Sequence, residues 1–231
     1  LNVRVYAQKD VDEIEKVIVG WSAFFADVSW VKSISNFLVS ASDYLEIGRG
    51  YRKGWNDMFY PDPRSVAEYG IEDDYLKPVL KDVRGFTTWE AKVEKADGES
   101  VVHGFSCSVE EHELDPSSGA LRWIKRFADM PNGQGVPLRE VMKSKSRPWY
   151  EMRLDKRADL VLSMNPDRRI WIMRLSAPTF VDQRLISLAA RKPTSDVALI
   201  HALLNSSLGL FMIEASGFGR GLGVLDLDAT K

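Results

Sequence analysis

Between residues 149 and 186 four strand-like runs follow one another, at 149–153, 158–164, 169–175 and 179–186, with no helical pattern among them. A doubly wound fold needs strands that alternate strictly with helices, so this clustering predicts an α+β architecture. The expected product is a mixed or antiparallel sheet with packed helices. A further strand is expected at 101–109 and a last one at 224–227, while 2–6 alternates polar and apolar residues as a short strand would.

Helical periodicity is confined to other stretches. Val11, Ile14, Val17 and Ile18 among charges predict an amphipathic helix over 9–19. Helices are also expected at 72–82, 117–130 and 137–145. The clearest spans 195–214, where Val197, Ile200, Leu204, Leu208 and Phe211 share one face, Thr194 or Ser195 can cap the start and Gly217 can end it. The aromatic-rich stretch 21–40, with Trp21, Phe24, Phe25, Trp30 and Phe37, is expected to be buried.

At 231 residues the chain is long enough for one large domain, or one domain with an extension. The boundary is placed between 1–43 and 44–231. No apolar run approaches the length of a membrane span, and the single cysteine, Cys107, cannot form an internal disulfide. Both features suit a cytoplasmic protein. The chain begins with Leu and enters a strand-like alternation at once, which reads as a cut inside a longer protein.

The 31 basic and 33 acidic residues give a net charge of −2. A free-standing nucleic-acid binder is usually more basic, so any such function must rest on local charge. Two places carry it. Gly48-Arg49-Gly50-Tyr51-Arg52-Lys53-Gly54 joins a strand at 44–47 to a second expected strand at 55–60, as a hairpin would. Glycines let a backbone approach a phosphate, Arg49, Arg52 and Lys53 supply countercharge, and Trp55 and Asn56 follow immediately. Asn can bond an adenine edge through both ends of its amide, and an indole can stack on a base. The second place is 147–174, with Arg147, Arg153, Lys156, Arg157, Arg168, Arg169 and Arg174, which would form a positive sheet face or rim. For both, an ordinary exposed surface with paired charges is the alternative.

Other clusters carry less. Gly217-Phe218-Gly219-Arg220-Gly221-Leu222-Gly223 follows a helix instead of opening one and lacks the dinucleotide-binding spacing, so it reads as a connector bearing Arg220. His103, Cys107 and His112 stand near Glu110, Glu111 and Glu113, but the spacing does not match a compact zinc pattern. His201 lies inside the strongest helix and reads as partly buried.

Three ordered segments resemble the C-terminal target-recognition region of adenine-N6 DNA methyltransferases of restriction–modification systems (TaqI-like specificity domains). The first is Glu46-Ile47-Gly48-Arg49-Gly50-Tyr51-Arg52-Lys53-Gly54-Trp55-Asn56-Asp57-Met58-Phe59. The second is Tyr75-Leu76-Lys77-Pro78-Val79-Leu80-Lys81-Asp82-Val83-Arg84-Gly85-Phe86. The third runs Leu203-Leu204-Asn205-Ser206-Ser207-Leu208, then Glu214, then Gly219 to Leu227. The first segment departs from the family pattern, in which Thr-Gly often precedes the Asn.

The resemblance implies a module that binds double-stranded DNA and positions it for a catalytic domain supplied in cis or trans. From the local charge and the three segments together, the contact residues would be Arg49, Arg52, Lys53, Trp55, Asn56, Lys81, Arg84, Arg168, Arg169 and Arg220, with Asn56 and Arg168 or Arg169 at base edges. The family's catalysts also need a glycine-rich S-adenosylmethionine motif and an Asn/Asp-Pro-Pro-Tyr/Phe tetrapeptide that holds the flipped base. Neither occurs, and Asn165-Pro166-Asp167 is not that tetrapeptide. The chain is therefore expected to be non-catalytic alone, with no cofactor of its own and S-adenosylmethionine bound in the parent enzyme. A specificity subunit that docks a separate methyltransferase is the main alternative, favoured by the acidic stretch 92–115. A small-molecule enzyme built on His103 and His112 is a more distant one.

Overall fold

The computed structural model describes residues 3–18, 24, 27–51, 55–93, 100–143, 146–152, 154, 157–166, 170–220 and 224–227. In chain order the elements are α1 (Gln8–Glu15), α2 (Val31–Ile34), β1 (Leu45–Arg49), α3 (Asn56–Phe59), α4 (Pro63–Tyr69), β2 (Leu76–Leu80), β3 (Glu90–Ala91), β4 (Val101–Phe105), α5 (Gly119–Ala128), α6 (Leu138–Val141), β5 (Ala158–Ser163), β6 (Ile172–Val181), β7 (Leu185–Ala190), α7 (Val197–Leu204), α8 (Ser207–Ser216), β8 (Phe218–Arg220) and β9 (Val224–Asp226). The fold is α+β, as the clustered strands require.

Seven strands form one mixed sheet in the order β1-β7-β5-β6-β2-β4, with β3 also beside β6. β2 and β3 run parallel to β6, whereas β1–β7, β7–β5, β5–β6 and β2–β4 are antiparallel. The β5–β6 register jumps from Ala158↔Thr179 to Leu160↔Arg174, so β6 carries a pronounced bulge around Pro178. The bulge and the twist that comes with it curl the sheet. Tyr51, just beyond β1, forms a parallel bridge to Asp182, just beyond β6, although those strands lie three places apart.

Helices cover the sheet through distinct apolar clusters. α5 turns Ala120, Leu121, Trp123, Ile124 and Phe127 inward against Met58, Phe59, Val79, Phe105, Tyr150 and Met152. The Trp123 indole N–H donates to the Met58 carbonyl at 2.9 Å. The N-terminus of α5 is held twice over. Ser118 caps it through Leu121 N–H at 3.2 Å, and the Glu72 carboxylate accepts from the Gly119 and Ala120 N–H groups at 2.7 and 3.0 Å. Burial pushes the Glu72 carboxyl up, but its own backbone N–H and those of Gly119 and Ala120 outweigh this and hold it below the usual glutamate range. On the other side, Leu45, Leu160, Ile172, Ile186 and Leu188 pack against Val197, Ile200, Leu204, Leu210 and Ile213 of α7 and α8. Within 1–43, Ile14, Ile18, Val28 and Val31 form a cluster with Phe211, Met212 and Ala215 of α8.

Several sequence expectations are corrected. Residues 3–6 form no strand, and Val3 and Val5 are 73% and 90% exposed; alternation without a partner does not make a strand. Trp30 and Phe37 are exposed at 39% and 83%, so 21–40 is not uniformly buried, while Trp21 and Phe25 lie outside the described residues. The expected hairpin strand at 55–60 is α3, and β1 pairs with β7 across the fold instead. The expected helix at 72–82 is a 3-10 turn at Asp73–Tyr75 followed by β2, because Pro78 cannot sit inside a helix. Residues 149–152 are turn and coil, and the two runs at 169–175 and 179–186 contribute the single strand β6 and the start of β7.

The helix expected over 195–214 is two helices, α7 and α8, bent by 69°. Ser206 caps α8 through Gly209 N–H at 3.1 Å, and a Cβ on Gly209 would lie 2.4 Å from the Leu203 carbonyl oxygen, which makes glycine a requirement of the elbow. Among the described residues no single helix is long and apolar enough to cross a membrane.

Replacing Glu72 with Ala should lower folding stability at neutral pH by about 1 kcal/mol, the usual worth of an N-terminal cap. A group whose carboxyl is depressed in the folded state stabilises above its unfolded pKa, about 4.3 for Glu. That stabilisation is lost as pH falls through the lower folded value. Urea denaturation of both proteins should therefore show the gap closing toward acidic pH, and a gap independent of pH would refute the assignment.

Candidate nucleic-acid interface

β1 delivers the glycine loop to the turn between β6 and β7. Gly50 N–H donates to Leu185 O at 2.9 Å, Tyr51 N–H to Val181 O at 2.7 Å and Gln183 N–H back to Tyr51 O at 3.0 Å. A Cβ on Gly50 would stand 2.1 Å from the Asp182 carbonyl oxygen, so this crossing admits only glycine. The glycine read as a means of approaching a phosphate thus serves a close approach of two backbones.

Asp182 is fully buried and ties four segments together. Its backbone N–H donates to Leu80 O at 2.8 Å, which brings the end of β2 to the turn. Its carboxylate accepts from the Tyr60 hydroxyl at 2.8 Å and from Arg184 N–H at 3.1 Å, with Arg184 Nε at 3.8 Å. Burial first, then the Asp182 charge and the hydrogen bond to it, holds the Tyr60 hydroxyl well above the ordinary tyrosine range. Tyr60 therefore stays a protonated donor.

Cations gather at this corner. Arg49 is exposed on the last residue of β1, and Lys81 is half-buried directly after β2; neither makes an ion pair among the described residues. The Arg184 side chain is 51% exposed on the turn itself. Arg84 is 82% exposed and donates to Asp82 at 3.0 Å. Burial pushes the Asp82 carboxyl up, but Arg84 and Ser100 outweigh it and hold the group below the usual range. Arg157 lays its guanidinium 4.8 Å from the centre of the Phe180 ring, two residues from Asp182. Arg49, Lys81, Arg84 and Arg184 thus stand within a few residues of the backbone ties at the Asp182 turn, where Arg84 is paired with Asp82 and Arg184 with Asp182.

The other expected contact residues divide. Asn56 is exposed on the first turn of α3, one turn before the Tyr60 that holds Asp182. Trp55 is half-buried and packs against the α5 cluster, so its ring serves the core. Arg52, Lys53, Arg168 and Arg169 lie outside the described residues, as does the Arg220 side chain, whose backbone pairs with Val224 between β8 and β9. The 147–174 span does not set its described arginines on one sheet face: Arg147 is exposed in a turn, Arg157 stacks on Phe180 and Arg174 is bonded to Glu90. Arg153 and Lys156 are outside the described residues.

The connection from β5 to β6 leaves from the same end of the sheet. Met164 N–H donates to Arg184 O at 3.2 Å, and Leu227 N–H donates to Met164 O at 2.9 Å. Where that connection re-enters the sheet, Asn205 pairs its amide with the backbone of Ile172: Ile172 N–H donates to Oδ1 at 2.9 Å and Nδ2 donates to Ile172 O at 3.0 Å. Nε2 of His201 lies 3.0 Å from the same carbonyl. His103 is exposed on β4, Cys107 is buried with its thiol pushed up by burial, and His112 rims an open depression of about 370 Å³ with Glu110, Glu111, Leu121 and Lys125.

Sequence reasoning missed Asp182, Tyr60 and Arg184. The available signal was the polar triplet Asp182-Gln183-Arg184 inside an apolar run, which interrupts strand alternation and marks a turn. No known protein-family description matches the chain, and no curated protein matches it in sequence.

Tyr60→Phe removes a donor from a fully buried carboxylate. It should cost about 1.5–3 kcal/mol, the range for hydrogen bonds to charged groups, measured by chemical denaturation; a change under about 0.5 kcal/mol, the scale of a neutral surface substitution, would remove Asp182 from its role as the tie.

Proposed function

We propose that this chain is the DNA-reading portion of an adenine-N6 DNA methyltransferase of the restriction–modification kind. It would hold double-stranded DNA for S-adenosylmethionine-dependent methylation by a catalytic domain supplied in cis or trans. The observation that carries the reading is the gathering of Arg49, Lys81, Arg84 and Arg184 around the Asp182 turn. A net charge of −2 does not oppose it, because fields from acids elsewhere are screened over about 8 Å at physiological ionic strength. A cationic corner then acts on phosphates by its local surplus, releasing counterions from the duplex.

The placement of the resembling segments supports the same reading. The first and second, 46–59 and 75–86, meet at the Val181–Gln183 turn, where Tyr51 bonds Val181 and Gln183 and Leu80 accepts from Asp182 N–H. The third reaches the same turn through Leu227 on Met164, whose own N–H donates to Arg184 O. Asn56, exposed on α3 beside this corner, is the side chain assigned to an adenine edge. Phosphate contacts from the cations would set register, and the base contact would carry sequence information.

A second reading has its own support. α7 leaves Ala198, Leu199, Ala202 and Leu203 exposed along one face, with Leu199 and Leu203 at 56% and 60%. Such a face suits docking of a methyltransferase subunit. If it does so, Leu199→Glu with Leu203→Glu should abolish co-purification with that subunit and leave DNA affinity intact.

The DNA reading is tested by combining Arg49→Ala, Lys81→Ala and Arg184→Gln. Duplex affinity should fall, and the slope of log K against log salt should shrink by up to about 0.9 for each phosphate that is no longer neutralised. Lys125→Ala with Arg139→Ala, on α5 and α6, should change neither. Unaltered affinity and slope in the triple variant would end the proposal.

A further inference from the structure

A second surface lies along the same side of β6, beyond the residues already assigned. Trp89 is 49% exposed immediately before β3. Its ring meets Trp171 edge-on, centroids 5.6 Å apart at 74°, and His201 at 6.4 Å and 71°. Three chain segments therefore build one aromatic corner: the end of the loop from β2, the residue before β6, and the middle of α7. The corner is braced from beneath, since Arg174 N–H donates to Trp89 O at 2.9 Å and both His201 and Asn205 bond Ile172 O.

The charges around it select an occupant. Glu90 is bonded to Arg174, and that bond with the charge behind it holds its carboxyl below the usual range; Lys92 and His201 add to the effect. With Glu90 and Arg174 neutralising each other, a methylammonium group would meet Lys92 and no uncompensated carboxylate. A sugar would need acceptor and donor pairs for its hydroxyls, and the Glu90 carboxylate is already engaged. A planar ring carried on an anionic backbone fits both the indole and the cations.

The register along β6 also bounds how far the corner lies from the cationic one. β3 pairs with β6 at Arg174 and β2 at Val181. The separation along β6 is at most roughly 23 Å at about 3.3 Å per residue. That is the rise of about six or seven base pairs at about 3.4 Å each.

We propose that Trp89, backed by Trp171 and His201, is a stacking platform for an unpaired nucleobase on DNA held at the Asp182 corner. The proposal rests on the DNA reading above and adds a site for a base outside the helix. Intact duplex offers no free base face in its interior, so the platform discriminates strand state and leaves sequence to other contacts.

The test uses the full chain with three probes: a fully paired duplex, the same duplex with one bulged adenine, and a single-stranded oligonucleotide. Trp89→Ala should weaken binding to the bulged and single-stranded probes by roughly 5- to 150-fold, the worth of one stacked base. It should leave the paired duplex and the salt slope unchanged. Trp89→Phe, which keeps an aromatic face, should restore most of the affinity. Quenching of tryptophan emission by the bulged probe should drop in both variants relative to wild type. Equal binding of all three probes by wild type and Trp89→Ala, while the Arg49, Lys81 and Arg184 substitutions still weaken duplex binding, would overturn the platform and leave the DNA reading standing. No binding of any probe by the wild-type chain would overturn both.

Discussion

The carboxylate of Asp182 is the constraint on which this end of the molecule depends. A fully buried charge is costly unless it is paired and hydrogen-bonded, and here one donor comes from a distant part of the chain, Tyr60 after α3, and the other, Arg184, from the turn itself. Satisfying that one group holds Tyr60 against the β6–β7 turn, while backbone hydrogen bonds of the same turn seat the β1 exit and the β2 end beside it. The Gly50 backbone then passes so close to Asp182 that no side chain fits between them. The cations of the corner are thus presented by strand ends and a tight turn, which limits how far they can drift from one another.

Asn205 does the corresponding work at the other side of the sheet. Its amide completes both backbone hydrogen bonds of Ile172 as a neighbouring strand would, and so joins the α7–α8 elbow to the first residue of β6. Because His201 bonds the same carbonyl and touches Trp89, the aromatic corner and the helix pair share one anchor. Helix packing, sheet register and exposed surface are therefore coupled through a few polar groups placed between large apolar clusters.

Parts of this site were legible in the sequence. Arg49 and Asn56 could be singled out from local charge and glycine placement, and Lys81 and Arg84 from the second resembling segment. Trp55 was equally visible as an aromatic beside a basic loop, yet it packs inward, because a ring next to charges does not reveal which side of the chain the core lies on. Asp182 was hidden for the opposite reason. An acidic residue in a polar triplet looks like exposed turn, and only the arrival of Tyr60 from 122 residues away makes it a buried hub. Trp89, Trp171 and His201 are spread over three segments, and no spacing rule connects them.

By itself the sequence determined the fold class, the strands β1, β4, β5 and β9, and the helices α1 and α5, since apolar period and dense strand spacing are local properties of the chain. It did not yield the breaks at Pro78 and at Asn205-Ser206, where the apolar periodicity ran through into single expected helices at 72–82 and 195–214. Tertiary structure alone decided that β1 pairs with β7 and not with a hairpin partner, that residues 76–80 extend beside β4 and β6, and that separate cations and separate aromatic rings share surfaces. The reason is that pairing partners and buried polar ties are chosen by contacts between residues far apart in sequence, where local propensity is a weak term and burial with satisfied hydrogen bonds is a strong one.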